Sequence, residues 1–143
     1  MHLRLAAALA ASCLFATAGC SRSTSESASP QARPSPETVE AAAGKRLFSA
    51  CQICHIAAAP GTPGAKQMSI GPNLWGVYGR ASASTDFAYS PAMQKADLVW
   101  NDETLNAFIE NPMKYMPGTR MSFAGEADPQ KRQEIIDYLK TLK

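Results

Sequence analysis

The sequence predicts a small all-α domain, on three observations. Three stretches carry apolar residues at helical spacing. No stretch of useful length alternates between apolar and polar residues, as a half-buried strand would. Residues 37–143 make up one domain of ordinary size, with no internal repeat. We therefore expect about three main helices, with short helical turns and long loops between them.

The first helix is predicted over 36–50. It opens on Pro36, and proline suits a first turn because its missing N–H would have no intrahelical acceptor there. Val39, Ala43 and Leu47 share one face, with Phe48 alongside. This face should pack against the rest of the domain.

Two further helices follow a long loop. Residues 56–90 are rich in Gly, Pro, Ser and Ala and are predicted to be mostly loop. A middle helix is predicted over 102–109 and ends before Pro112. The last helix begins at residues 128–129, where an aspartate can cap and a proline can open the first turn. Its apolar stripe consists of Ile135, Ile136, Leu139 and Leu142.

Residues 1–19 are predicted to be an export signal. Arg4 gives a positive start, and an uncharged stretch rich in Ala and Leu follows over 5–18. This stretch has the length of a signal-peptide apolar region and is too short to span a bilayer comfortably. We expect a periplasmic protein.

The end of this signal has two interpretations. Residues 18–20 (A-G-C) resemble the end of a bacterial lipoprotein signal, in which the cysteine is lipidated, although Thr17 stands where leucine is usual. Cleavage after 16–18 (A-T-A) is the alternative. It would leave Cys20 as an unpaired thiol in an oxidising compartment. We therefore prefer a lipid on Cys20, which would hold the protein to a membrane.

Residues 20–36 are predicted to be a flexible tether, because they are rich in Ser and Pro and hold no large apolar side chain. Three of the chain's 14 Lys and Arg residues and one of its 12 Asp and Glu residues precede residue 37, so 37–143 carry 11 of each sign. A formally neutral domain lacks the excess of positive charge that is typical of nucleic-acid binding.

Residues 51–55 (C-Q-I-C-H) carry the chemistry. C-x-x-C-H is the attachment pattern of c-type haem: Cys51 and Cys54 can form thioethers with one porphyrin edge, and His55 can bind the iron. A zinc site needs about four ligands, and beyond these three only Cys20 remains. A thioredoxin-like site should lie beside a βαβ unit, and a plain disulfide is the third alternative.

A wider pattern accompanies this motif. It comprises, in order, 44–48 (GKRLF), 71–76 (GPNLWG), 89–90 (YS), Trp100, 111–115 (NPMKY), 117–125 (PGTRMSFAG) and 136–140 (IDYLK). The series resembles the mitochondrial-type (class I) single-haem cytochromes c and their bacterial periplasmic relatives. The resemblance implies their fold, packed round one covalent haem c, with Gly44 allowing the first and last helices to cross closely beside Phe48 and Tyr138.

The second axial ligand of the iron must come from another residue type, because no histidine follows His55. Five methionines lie beyond the signal: Met68, Met93, Met113, Met116 and Met121. The resemblance selects Met121, in the P-G-T-R-M loop, and Met116 and Met68 are the remaining candidates. A thioether ligand favours Fe(II) and raises the reduction potential.

Supporting roles also follow from the resemblance. Pro72 matches the position whose carbonyl accepts the Nδ1–H of His55. Tyr89, Trp100 and Thr119 match positions that hydrogen-bond the haem propionates, and Arg80 matches a nearby basic residue; Tyr89 and Trp100 could instead be ordinary core aromatics. The chain departs from the family in two places: the spacing from Phe48 to Cys51 is one residue shorter, and the loop over 56–70 is several residues longer.

The resemblance implies a monomeric one-electron carrier, not an enzyme, that cycles between Fe(III) and Fe(II) in a periplasmic respiratory chain. Its implied partners are transient redox proteins such as a quinol-oxidising cytochrome bc complex and a terminal oxidase. Lys114 and Arg120 are candidate docking charges. Two alternatives stay open: a haem-c subunit of a larger oxidase or dehydrogenase, and a peroxide- or gas-reactive haem protein with a detachable methionine.

Overall fold

The computed structural model describes residues 36–143. The predicted signal, Cys20 and nearly all of the tether lie outside the described residues. Within them the chain forms five α-helices: α1 Pro36–Leu47, α2 Pro91–Lys95, α3 Asp102–Glu110, α4 Pro112–Tyr115 and α5 Pro129–Thr141. None of these helices has the length and apolar character needed to cross a bilayer.

The predicted all-α class is confirmed. The described part of the chain contains no strand, only an isolated bridge between Ala81 and Val99. The three long helices are the three predicted ones, α1, α3 and α5. Residues 56–90 are mostly loop, with one 3₁₀ turn at Pro63–Lys66.

The first helix is shorter than predicted. Its α-helical hydrogen bonding ends at Leu47, and the chain continues as a 3₁₀ helix over Phe48–Ile53. The tighter winding changes the direction of the side chains from Phe48 onward. This change of winding falls just before the C-x-x-C-H motif.

Helices α1 and α5 cross at Gly44, as expected. A Cβ on Gly44 would lie 1.8 Å from the carbonyl oxygen of Glu134, so only glycine allows this approach. The rings of Phe48 and Tyr138 pack beside the crossing with centroids 5.0 Å apart. This packing fixes the start of the haem motif against the last helix.

Side-chain caps set where α2, α3, α4 and α5 begin. Asn101 and Thr104 form a capping box at the start of α3, and Asp128 accepts from the first backbone N–H groups of α5. The brief α2 and α4 each follow a side-chain cap, Ser90 and Asn111, with proline at the first helical position.

A buried arginine anchors the segment before α5. Arg132 is 7% exposed, and its guanidinium donates to the backbone carbonyls of Glu126 and Ala127 at 2.8 and 2.9 Å. It also donates to the side-chain amide oxygen of Asn106 on α3. The chain between α4 and α5 is thereby held against α3.

Candidate haem site

One large cavity lies at the centre of the domain. Its volume is about 620 Å³, in the range of cavities that hold cofactors, and its lining is mostly apolar. Every site residue predicted from the sequence lines it: Cys51, Cys54, His55, Pro72, Tyr89, Trp100, Thr119 and Met121. The fold therefore brings together residues that are up to 70 positions apart in sequence.

The two cysteines lie at the end of the 3₁₀ helix and both line the cavity. Cys51 belongs to its last turn and Cys54 is the residue that follows it, about one 3₁₀ turn further along the chain. The backbone N–H groups of Cys54 and His55 both donate to the carbonyl of Cys51, at 3.1 and 2.8 Å. Burial raises the pKa of the Cys51 thiol. The two cysteines are not bonded to each other.

The imidazole of His55 is held in one orientation. Its Nδ1 lies 2.8 Å from the carbonyl oxygen of Pro72, as predicted. Burial lowers the pKa of His55, which favours the neutral ring. With Nδ1–H donating to Pro72, Nε2 keeps the free lone pair that a metal ligand needs.

Gly71 makes room for this ring. A Cβ at this position would lie 2.3 Å from Cε1 of His55. The backbone N–H of Gly71 also donates to the carbonyl of Cys54 at 2.7 Å. The segment carrying Pro72 is thus tied directly to the haem motif.

Asn73 holds the long loop closed, a role that sequence reasoning missed. Its side-chain oxygen accepts from the backbone N–H groups of Ala58 and Trp75, and its amide donates to the carbonyl of Ala58. Asn73 belongs to the G-P-N-L-W-G stretch, but nothing in the local pattern identifies Ala58 as its partner. These bonds fix both ends of the loop beside His55.

The methionines differ sharply in position. Met121 lines the cavity, and its backbone N–H donates to Oγ1 of Thr119 at 3.3 Å. Met68 is fully exposed, and Met116 is buried in the core without lining the cavity. Met93 also lines the cavity and was not among the leading candidates.

The polar side chains of the cavity are few. Tyr89 and Thr85 hydrogen-bond through their hydroxyls. Arg80 donates to the carbonyls of Trp75 and Asn73 at 2.9 and 3.1 Å, and burial lowers the pKa of its guanidinium. Trp100 lines the cavity and also packs in the core.

These residues fit a covalently attached haem. The cavity is large and apolar, it presents two thiols and a neutral imidazole, and a thioether lies on its lining. The described residues contain no group of three or more His, Cys, Asp or Glu side chains that could hold a metal ion, so a zinc site has no support there. The described part of the chain also lacks the βαβ unit of a thioredoxin-like site.

Comparison with known proteins agrees with this assignment. The family model for cytochrome c matches residues 41–143. The chain is 45% identical over 114 residues to cytochrome c of Theileria annulata, covering 76% of this chain and 95% of that protein. It is 43% identical over 102 residues to cytochrome c2 of Rhodopila globiformis, covering 70% and 91%.

A solved structure has the same fold. Cytochrome cH from Methylobacterium extorquens superposes with a TM-score of 0.63 at 37% identity, covering 71% of this chain and 97% of that one. The bacterial relatives indicate a periplasmic or other extracytoplasmic location. The chain belongs to the cytochrome c family: it binds haem c covalently and transfers electrons between redox partners rather than catalysing a reaction.

Proposed function

We propose that this protein is a one-electron carrier of a periplasmic respiratory chain, with His55 and Met121 as the axial ligands of its haem iron. One observation carries the ligand assignment. Nε2 of His55 is free, and both His55 and Met121 line the same cavity as the two thiols. A nitrogen and a soft sulfur are the pair that suits a high-potential carrier.

The chain's own residues would hold the iron site rigid during electron transfer. When bound, haem c supplies one-electron chemistry between Fe(III) and Fe(II). Pro72 fixes the ring of His55, and Thr119 fixes the backbone of Met121. With both His55 and Met121 bound to it, the iron would have no open position for O₂ or peroxide. Tyr89, Trp100 and Thr119 are proposed to hydrogen-bond the propionates, with Arg80 near the same group.

The proposed cellular context extends the sequence argument. We propose that residues 1–19 direct export, that Cys20 carries lipid and that 20–36 tether residues 37–143 to the periplasmic face of a bacterial membrane. The proposed partners are a quinol-oxidising cytochrome bc complex as donor and a terminal oxidase as acceptor. Each contact should be small, since a carrier must dissociate after every transfer.

Absorption spectra of the haem-loaded protein test the ligands. The oxidised protein is expected to be low-spin with a sulfur-to-iron charge-transfer band. That band should disappear in Met121→Ala and persist in the matched controls Met93→Leu and Met116→Leu. A five-coordinate, high-spin resting iron would contradict the assignment and favour the peroxide- or gas-reactive alternative. A band lost only in Met93→Leu would transfer the role to Met93.

Intact mass of the protein from its native membrane tests the anchor. A haem-sized addition together with acyl chains on Cys20 is the expected result. A haem-sized addition on a chain cleaved after Ala18 would contradict the lipid on Cys20. It would not contradict the carrier function.

A further inference from the structure

The chain that follows Met121 is held by few hydrogen bonds. The backbone N–H of Met121 donates to Oγ1 of Thr119, which lies only two residues earlier. Residues 122–125 form no hydrogen bond, through backbone or side chain, with any other described residue. On its C-terminal side, the position of Met121 therefore depends on the next point at which the chain is fixed.

The next fixed point lies at residues 125–127, which we call the anchor segment. Gly125 packs against the end of α3 with a φ of +104°, and a Cβ there would overlap the carbonyl oxygen of Glu110. The backbone N–H of Glu126 donates to the carbonyl of Ile109 at 3.0 Å. Both contacts are made with α3, so this helix sets the position of the anchor segment.

Arg132 joins the anchor segment to both α3 and α5. Its guanidinium donates to the carbonyls of Glu126 and Ala127, at 2.8 and 2.9 Å, and its Nε–H donates to the side-chain oxygen of Asn106. Arg132 is buried, and no carboxylate among the described residues lies within ion-pair distance of it. A buried charge that has only neutral acceptors depends on each of them. Loss of the Asn106 oxygen should therefore turn the guanidinium away and loosen its hold on the anchor segment.

We propose that Asn106 and Arg132 are positioning residues for Met121, which hold the anchor segment and so limit how often the thioether leaves the iron. The inference rests on the proposed ligation by Met121. Neither residue lines the haem cavity, so their effect on the iron passes through the chain. The anchor segment begins four residues after Met121, and so short a chain cannot absorb a large displacement.

Binding of added imidazole to the haem-loaded ferric protein tests this role. At saturating imidazole, the sulfur-to-iron charge-transfer band disappears at the rate at which Met121 leaves the iron. Asn106→Leu removes the acceptor at similar volume, and leucine favours a helix more than asparagine does. This variant should lose the band about tenfold faster than wild type, or faster still, because a hydrogen bond from a charged donor is lost.

Two further variants separate the hydrogen bond from the charge. Asn106→Asp keeps an acceptor and gives the guanidinium an opposite charge, so Met121 should leave no faster than in wild type. Arg132→Lys keeps the positive charge but cannot replace a planar group that donates to three oxygens. It should lose the band as fast as Asn106→Leu. If Arg132→Lys takes up no haem, the two Asn106 variants decide the test.

Asp102→Asn is the matched control. Asp102 also lies on α3 and also joins it to α5, through Lys140, but it has no hydrogen bond with the anchor segment. Its imidazole rate should stay within about threefold of wild type, even where urea unfolding shows a loss of stability. Equal rates in Asp102→Asn and Asn106→Leu would overturn the proposal, because the effect would then follow general stability.

Hydrogen exchange gives a readout that does not involve the iron. The amide of Glu126 should exchange about tenfold faster or more in Asn106→Leu, because local opening frees it from Ile109. The amide of Leu139 on α5 should change less. Equal acceleration of both amides, or an Asn106→Asp variant as fast as Asn106→Leu, would also overturn the proposal. Failure of Met121 as the ligand looks different: wild type would then lack the charge-transfer band altogether.

Discussion

Two small residues, Gly71 and Asn73, determine how the imidazole of His55 is placed in the cavity. Gly71 leaves space for the imidazole, and Asn73 closes the neighbouring loop. Neither side chain binds a metal ion or a proton strongly. Their effect on the haem is indirect and acts through the orientation of one ring. Substitutions at these positions should therefore change both stability and the iron spectrum.

Gly71→Ala should destabilise the haem-loaded protein by about 1–3 kcal/mol, the usual cost of overpacking. The new methyl group overlaps the ring of His55. Urea unfolding measures the loss, and the iron spectrum should shift with it. Gly64→Ala is the control, because its Cβ would meet Cβ of Ala58 at 3.1 Å and Oγ1 of Thr62 at 3.9 Å, and no atom of His55. Equal losses in the two variants would argue against a specific role for Gly71.

Asn73 variants separate its donor from its acceptor role. Asn73→Asp keeps an oxygen for the N–H groups of Ala58 and Trp75 but loses the donor to the carbonyl of Ala58. Asn73→Ala loses all three bonds. We expect Asn73→Ala to cost about 1–3 kcal/mol and Asn73→Asp less, by chemical denaturation. The reverse order would show that the amide donor is the dominant contact.

At the scale of secondary structure, helix propensity and helix packing predict opposite effects of Gly44→Ala on the free energy of unfolding. Alanine is favoured over glycine inside a helix by about 1 kcal/mol, so propensity alone predicts that Gly44→Ala stabilises the protein. The crossing with α5 predicts the opposite, because the added Cβ meets the backbone of Glu134. We expect the packing effect to be larger, so that Gly44→Ala lowers the free energy of unfolding by at least about 1 kcal/mol, measured by thermal or urea unfolding. A gain in stability would mean that the helices separate readily.

A polar cluster joins the start of α3 to the end of α5. Asp102 forms an ion pair with Lys140, at 2.5 Å, and accepts from the hydroxyl of Tyr78. The hydrogen bond from Lys140, followed by that from Tyr78, lowers the pKa of Asp102 to about 2 from 3.8. The side chain of Asp102 is 46% exposed, so solvent screens its contribution to stability.

The sign of the pH effect follows from the lowered pKa. Stability from Asp102 is fully present above about pH 4 and is lost as pH falls through about 2, because the folded state holds the charged form more tightly. Asp102→Asn should therefore be less stable than wild type at pH 6, and the difference should shrink toward pH 2. Unfolding midpoints across this range measure it. A difference that stays constant with pH would mean that the carboxylate charge is not involved.

The long helices could be predicted from the sequence. Helix α5 follows from its aspartate cap, its proline and its apolar stripe, which are all local signals. The short helices α2 and α4 hold five and four residues, too few for an apolar period to be visible. The switch from α to 3₁₀ winding at Phe48 has no signal in the local sequence either, and the ring of Phe48 packs there against Tyr138, which is distant in sequence.

The same division holds for the site. Cysteine chemistry at 51–55 identifies the cofactor, and the family resemblance selects Pro72 and Met121. The bonds of Asn73 and Arg132 could not be predicted, because their partners are backbone groups or side chains that only the folded chain brings close. The lining position of Met93 is missed for the same reason.

At the scale of the whole molecule, the haem cavity lies against the hydrophobic core, and many core residues also line it. An unfilled space of about 620 Å³ would remove contacts from residues of α3 and α5 alike. Cys51→Ser with Cys54→Ser, which prevents covalent attachment, should therefore abolish the cooperative thermal transition seen in the haem-loaded protein. Far-UV circular dichroism on heating measures this. A double variant that melts cooperatively near the wild-type temperature would show that the protein folds without its cofactor.

The hydrogen bonds between Asn73 and Ala58 have a practical consequence for protein engineering. Hydrogen bonds hold both ends of the 56–70 segment at its base, so we expect insertions at its tip to leave the imidazole of His55 in place. A short insertion near Gly61 could then carry an affinity tag, a fluorophore or a recognition peptide. The absorption spectrum and the reduction potential of the haem should not change. The extra residues make this turn a natural graft position.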